Sequence, residues 1–140
     1  MALQAIAYAS LATSDVSANQ LEKLVQGAAS LNQMAGVTGV LLFDGDRFLQ
    51  YIEGPDDGIA VVYSRILNSK THTEIIELAR GRVSGRRMPY WPMHWVLTDK
   101  AQFNDAAFGD WTMLVRHDGA TRSIPTGLDR LAAVAAPFIA

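Results

Sequence analysis

The sequence predicts an α+β fold: a ferredoxin-like βαββαβ sandwich with an added fifth strand and a C-terminal pair of helices. Three observations predict it. Short stretches of alternating apolar residues are separated by longer stretches with helical periodicity. A hairpin signal stands at the centre of the first hundred residues, in VTGVLLFDGDRFLQYIEG, where two apolar runs flank Asp44-Gly45. The order of elements is strand, helix, strand, strand, helix, strand, then one more strand, which is the split βαβ pattern.

The first strand is read at residues 3–10, with Ile6 and Tyr8 on one face and Ala5, Ala7 and Ala9 on the other. Ser17 followed by Gln20 resembles a capping box and opens the first helix. That helix carries Leu21, Leu24, Val25, Ala28, Leu31, Asn32 and Ala35 on one broad stripe, and Gly36 is its stop. In the second arm of the hairpin, Phe48, Gln50 and Ile52 share a face, opposite Leu49, Tyr51 and Glu53. Gly54-Pro55-Asp56-Asp57-Gly58 turns into a second helix whose stripe is Ile59, Val62, Tyr63 and Ile66, with Arg65 at its edge and an end at residues 68–72. Residues 73–80 read as a strand, and GRVSGRRMPY as a solvated basic loop. Residues 91–97 alternate again, with Trp91, Met93, Trp95 and Leu97 on one face, and Pro92 makes this an edge strand or the start of one.

Residues 1–98 are thus expected to form the sandwich, with the first and third strands side by side and parallel at the sheet centre. Residues 99–140 are expected to form a helical extension. It has apolar residues at Phe103, Ala106, Ala107, Trp111 and Leu114 in a helix over 102–115, a loop over 116–125, and a stripe of Leu128, Leu131, Val134, Ala135 and Phe138. These helices either cover the bare face of the sheet or pair with a second subunit, so a homo-oligomer is expected.

Composition excludes several function classes. With 140 residues, 49% hydrophobic, one core-bearing domain forms. A net charge of −2 with both signs mixed gives no footprint for nucleic acid or an anionic membrane. The absence of cysteine excludes disulfides, thiolate catalysis and cysteine-ligated metals. His72, His94 and His117 have no metal-ligand spacing. No apolar run approaches the ~20 residues of a membrane span, and MALQAIAYAS reads as a strand, not a signal peptide. A cytoplasmic protein is expected.

Gln50 lies between two large apolar residues and points where they point. A buried amide must find partners or cost about 1–3 kcal/mol. In the expected topology Tyr8 and Gln50 could be neighbours beneath the helices. Asn32 comes down from the first helix, and Met93 or Trp91 from the last strand. A phenol, two amides and a thioether make a neutral hydrogen-bonding pocket with no paired carboxylates and no obvious base. An acylphosphatase-type hydrolase on the same fold is one alternative. It wants an arginine in the loop after the first strand, and SLATSDVSANQ has none. A flavin-free dimerisation module is another.

At this point the residues resemble a known family. Tyr8 in AYAS, Asn32 ahead of GVTGVLLF, FLQYIEGP with Gln50, the segment ending at His72 and Trp91-Pro92-Met93 match the BLUF domains, flavin-binding blue-light sensors, over residues 3–98. The resemblance implies a non-enzymatic photoreceptor with an oxidised flavin, FAD first and FMN or riboflavin as options, lying between the two helices. Cofactor contacts are implied at Tyr8, Leu24, Asn32, Gln50, Arg65, Ile66, Ser69, His72 and Met93. The photoactive set is Tyr8, Gln50, Met93 and Trp91. Gln50 would bridge Tyr8 and the flavin N5/C4=O edge, Asn32 would hold the C2=O or C4=O edge, and Arg65 and the His72 region would lie near the ribityl–phosphate side. The family often has Asp and Arg where Ser69 and Thr71 stand, and phenylalanine in place of Met88. An effector that is a separate protein is implied as partner.

Overall fold

The computed structural model describes residues 3–13, 17–112, 114 and 125–138. Their elements in chain order are β1 (Leu3–Ala12), α1 (Ala18–Ala35), β2 (Thr38–Phe43), β3 (Arg47–Pro55), α2 (Asp56–Asn68), β4 (His72–Val83), β5 (His94–Leu97), α3 (Lys100–Ala107) and α4 (Gly127–Ala135), with a 3₁₀ turn at Ala136–Phe138. The five strands form one sheet in the order β4-β1-β3-β2-β5.

Local chemistry accounts for the boundaries. Ser17 and Gln20 form a reciprocal capping box at the start of α1. Gly36 ends the helix at φ 73°, a left-handed conformation that glycine adopts at no steric cost. In the β2–β3 turn the Asp44 carboxylate accepts from the backbone N–H groups of Asp46 and Arg47, and Gly45 takes φ 102°. Pro55 caps α2, whose first turn carries Asp56 and Asp57 at the positive end of the helix dipole.

The sheet corrects one expectation. β1 and β3 are neighbours, but they run antiparallel, with Tyr8 opposite Gln50. The crossover through α1 makes β1 parallel to β2, and the hairpin then returns β3 between them in the opposite direction. β5 pairs in parallel with β2 at the sheet edge. The expected strand over 91–97 is shorter, starting only after Pro92, which lacks a ladder donor. Residues 91–93 are therefore outside the pleat, and alternation does not carry back to Trp91. Met93 belongs to the cluster under α1 and α2, whereas Trp91 packs with the cluster on the opposite face. Other boundaries move as well. α2 stops at Asn68, so His72 opens β4 and is not a helix-end residue. β4 runs on through Gly81, Arg82 and Val83, taking the start of the expected loop.

The remaining loop is not simply solvated. Arg86 donates to the Gly36 and Glu53 carbonyls and to Thr38 Oγ1. The fully buried Glu53 carboxylate accepts from the backbone N–H of Arg87 (2.8 Å) and of Met88 (2.6 Å), and from the Tyr51 hydroxyl (2.7 Å). Next to that carboxylate, burial first and its charge second push the Tyr51 phenol far above its ordinary value.

Each face of the sheet has its own core. Ile6, Tyr8, Phe48 and Ile52 pack under α1 and α2. Ala5, Ala7, Val40, Leu42, Leu49 and Tyr51 pack against Phe103 and Ala106 of α3 and Leu128, Leu131 and Ala135 of α4. The helix expected over 102–115 ends at Ala107. Gly109 follows, with Gly127 so close that a β-carbon on Gly109 would stand 2.9 Å from its Cα. Trp111 and Leu114, beyond the helix, still reach the core. The loop expected over 116–125 lies outside the described residues except for Pro125.

A cleft between the first two helices

α1 and α2 meet closely where α1 ends and α2 begins: a β-carbon on Gly58 would stand 2.1 Å from the Ala35 carbonyl oxygen. Beyond that contact an open cleft lies between them. The floor is Tyr8 from β1, Leu41 from β2, Phe48 and Gln50 from β3, and Met93 just before β5. Leu21, Leu24, Val25, Ala28, Leu31 and Asn32 of α1 face Val62, Arg65 and Ile66 of α2, and Ser69, Thr71 and His72 complete the lining.

Tyr8, Leu24, Asn32, Gln50, Arg65, Ile66, Ser69, His72 and Met93 therefore converge on one cavity. Trp91 does not: it stacks on His94, ring centroids 4.4 Å apart, beneath the other sheet face. Leu21, Val25, Ala28, Leu31, Leu41, Phe48, Val62 and Thr71 complete the wall without having been singled out as contacts. The signal for most of them was present, since the α1 residues share Leu24's stripe and Phe48 shares Gln50's face. Periodicity cannot tell the part of a stripe that lines a cavity from the part that fills a core.

The polar groups form ordered chains. Tyr8 donates its hydroxyl to Gln50 Oε1, and Gln50 Nε2 donates to Met93 Sδ at 3.5 Å. The assignment of the two amide ends follows from these partners, because a thioether can only accept. Burial, reinforced by neighbouring Tyr63, pushes the Tyr8 phenol far above its ordinary value, so it remains a proton donor throughout the physiological range. Asn32 donates one amide N–H to the Pro92 carbonyl (2.8 Å) and so holds the segment that carries Met93. Its Oδ1 and second N–H remain for a ligand edge. His72 Nε2 lies 2.9 Å from the Ile66 carbonyl, an acceptor only, so that nitrogen carries the proton. In the neutral ring Nδ1 then accepts from Ser10 Oγ at 2.7 Å. The ring satisfies a carbonyl in the last turn of α2 and ties that turn to β1. Ser69 and Thr71 share a hydroxyl–hydroxyl bond of 2.8 Å at the cleft's edge.

Among the described residues no carboxylate lines the cleft, and Arg65 is the one lysine or arginine that does. Apolar walls on both sides and amide donors and acceptors along the floor suit a flat heteroaromatic ring with a polar edge. A flavin is such a ring, and the donor set fits it.

Comparison with known proteins agrees. The family model BLUF, "Sensors of blue-light using FAD", matches residues 3–94. The Blue light- and temperature-regulated antirepressor BluF of Escherichia coli (strain K12) is 33% identical over 85 residues, 61% of this chain and 21% of that protein. The chain thus spans about a fifth of the length of that curated relative. Among solved structures, the dark state of BlrB, a BLUF protein, superposes with a TM-score of 0.66 at 25% identity, covering 76% of this chain and 79% of that one. Klebsiella pneumoniae BlrP1 with FMN and cyclic diGMP gives 0.63 at 32% identity, over 68% of this chain and 26% of that one. With the model match covering well over half its length, and with Tyr8, Asn32 and Gln50 gathered at one cleft, the chain belongs to the BLUF family of blue-light sensors that use FAD.

Proposed function

We propose that the chain binds an oxidised flavin noncovalently in the cleft and reports its excitation by reorganising the Tyr8–Gln50–Met93 hydrogen bonds. The observation that carries this reading is the buried contact of the Tyr8 hydroxyl with Gln50 Oε1 on the cleft floor. FAD is the first expectation, with FMN or riboflavin as alternatives, and the absence of cysteine supports noncovalent attachment.

A bound flavin supplies blue absorption and, when excited, a strong one-electron oxidant. Tyr8 is the donor, and its proton has a path along its bond to Gln50. The Gln50 amide has an accepting end on Tyr8 and a donating end on Met93. Rotation or tautomerisation of that amide exchanges donor and acceptor character at both ends. In a packed site such a change has discrete states, which biases the Met93 segment. Asn32 orients the ring edge. Leu24 and Ile66 enclose the ring faces. Arg65, Ser69 and His72 serve the side-chain end of the cofactor.

Further proposals go with this one. Residues 1–98 are the sensing unit and 99–140 its extension. The chain itself is not an enzyme, and among the described residues the cleft lining holds no paired carboxylates. It signals to an effector protein; BluF is named an antirepressor and BlrP1 was solved with cyclic diGMP, so outputs differ among relatives. A cytoplasmic location is supported by the lack of cysteine, and among the described residues no helix is long and apolar enough to cross a membrane. Exposed Met34, Leu97 and Phe108 support self-association, which light scattering at micromolar concentration tests. The central experiment is an absorption spectrum before and after blue light. A small red shift that reverses in the dark is expected. Protein that stays colourless after reconstitution with FAD, FMN and riboflavin refutes the reading.

A further inference from the structure

A second phenol stands behind Tyr8. The Tyr63 ring, on α2, lies 6.2 Å from the Tyr8 ring, centroid to centroid, with the planes at 57°. Tyr63 is buried to 9% exposure and does not line the cleft. Burial first, and then the neighbouring Glu77 carboxylate, raises its phenol above the ordinary value. Glu77 is directly opposite Tyr8 across the β1–β4 ladder, next to a register shift in that ladder. It is bonded to Arg80 at 2.7 Å, and both side chains are open to solvent. The Arg80 guanidinium lies 5.2 Å over the Tyr63 ring.

The two phenols differ in what they can do with a proton. Tyr8 faces the carbonyl of an amide, a very weak base. Tyr63 has the Glu77 carboxylate for a neighbour. An oxidised phenol is a strong acid, so a hole is more stable where a base waits. The guanidinium over Tyr63 opposes a standing positive charge on that ring. It therefore favours loss of the proton in the same step as the electron, which leaves a neutral radical.

We propose that Tyr63 is a second redox-active tyrosine, which gives an electron to oxidised Tyr8 and its phenolic proton to Glu77. This rests on the flavin reading above, since the excited flavin is the one-electron oxidant. The step balances. Tyr8, oxidised and still holding its proton on the bond to Gln50, regains one electron and is a phenol again. Tyr63 loses that electron and one proton, Glu77 gains the proton, and the electron first taken from Tyr8 stays on the cofactor. The hole thus moves from the cleft floor towards solvent. This is a side path that competes with charge recombination at Tyr8, and it grows under sustained light.

Electron paramagnetic resonance of the flavin-loaded protein under continuous blue light tests this. The wild type is expected to give a tyrosyl signal that narrows when ring-deuterated tyrosine is incorporated and that rises more slowly in D₂O. Tyr63→Phe is expected to keep the reversible red shift and lose the signal. Glu77→Gln, which keeps the side-chain volume but removes the carboxylate paired with Arg80, is expected to lower the yield and remove the D₂O effect. An undiminished signal in Tyr63→Phe overturns the proposal, and so does a wild type with a red shift but no tyrosyl signal. A wild type with neither red shift nor bound flavin instead refutes the flavin reading itself.

Discussion

At the scale of a residue, the cleft is organised by one amide. Gln50 is satisfied at both ends, by Tyr8 and Met93, and turning it over would set its oxygen against a sulfur that cannot donate. One hydrogen bond, about 0.5–1.5 kcal/mol net, separates the two orientations, little enough for a light-driven event to reverse. Tyr8→Phe keeps nearly the same volume and is expected to retain flavin while losing the reversible red shift in the absorption spectrum. Gln50→Leu is expected to do the same, because no amide remains to exchange partners. Asn32→Ala has a different effect. It frees the Pro92 carbonyl and removes the polar edge above the floor, so flavin affinity is expected to fall by roughly tenfold or more, at about 1–3 kcal/mol per unsatisfied group. Equilibrium titration with FAD followed by fluorescence checks it.

At the scale of the element, close backbone approaches decide where the cleft is. Gly58 lets the start of α2 touch the end of α1, and an alanine there meets the Ala35 carbonyl oxygen at 2.1 Å. Gly58→Ala is expected to cost about 1–3 kcal/mol or more by overpacking, read as a lower urea midpoint with faster flavin release. Glu53 has a matching role on the far face, where it holds the backbone of the β4–β5 connection. Glu53→Ala leaves the Arg87 and Met88 N–H groups without their acceptor and is expected to lower stability by several kcal/mol, at about 1–3 kcal/mol for each group, in the same denaturation experiment.

The same elements show what a sequence can carry. Alternation in β1 and β3 put Tyr8 and Gln50 on a common face, and the capping box and Gly36 marked both ends of α1, because these are local signals. The relative direction of β1 and β3 is not local, since it depends on how a crossover and a hairpin combine. Trp91 was misplaced because a period of two holds only inside a strand, and Pro92 keeps residue 91 out of β5. The anchoring of the 84–93 segment was illegible for a related reason. Nothing in GRVSGRRMPY announces that a carboxylate more than thirty residues earlier accepts its backbone N–H groups.

At the scale of the whole molecule, the sheet has two faces and each needs a cover. α1 and α2 cover one and leave the cleft. The other consists of small and branched residues, Ala5, Ala7, Val40, Leu42 and Leu49, together with Tyr51, and it is closed by Phe103, Leu128, Leu131 and Ala135. The ion pairs that tie the extension to the rest of the chain, Arg87 to Asp129 and Lys100 to Asp46, are partly or largely exposed and worth about 0–1 kcal/mol each, and Arg47 adds one hydrogen bond to Asn104. Attachment of the extension is therefore chiefly apolar. A chain ending at Thr98 would lay bare a contiguous apolar face larger than the few hundred Å² that soluble monomers usually tolerate. We expect that truncated chain to aggregate, or to fold with a clearly lower thermal midpoint and bind a fluorescent apolar dye that the full chain excludes. Retained solubility, an unchanged midpoint and no dye binding would show that residues 99–140 do not support the sheet. In that outcome the sensing unit would be stable with one face open, and a second copy of the chain would be the cover to look for by light scattering.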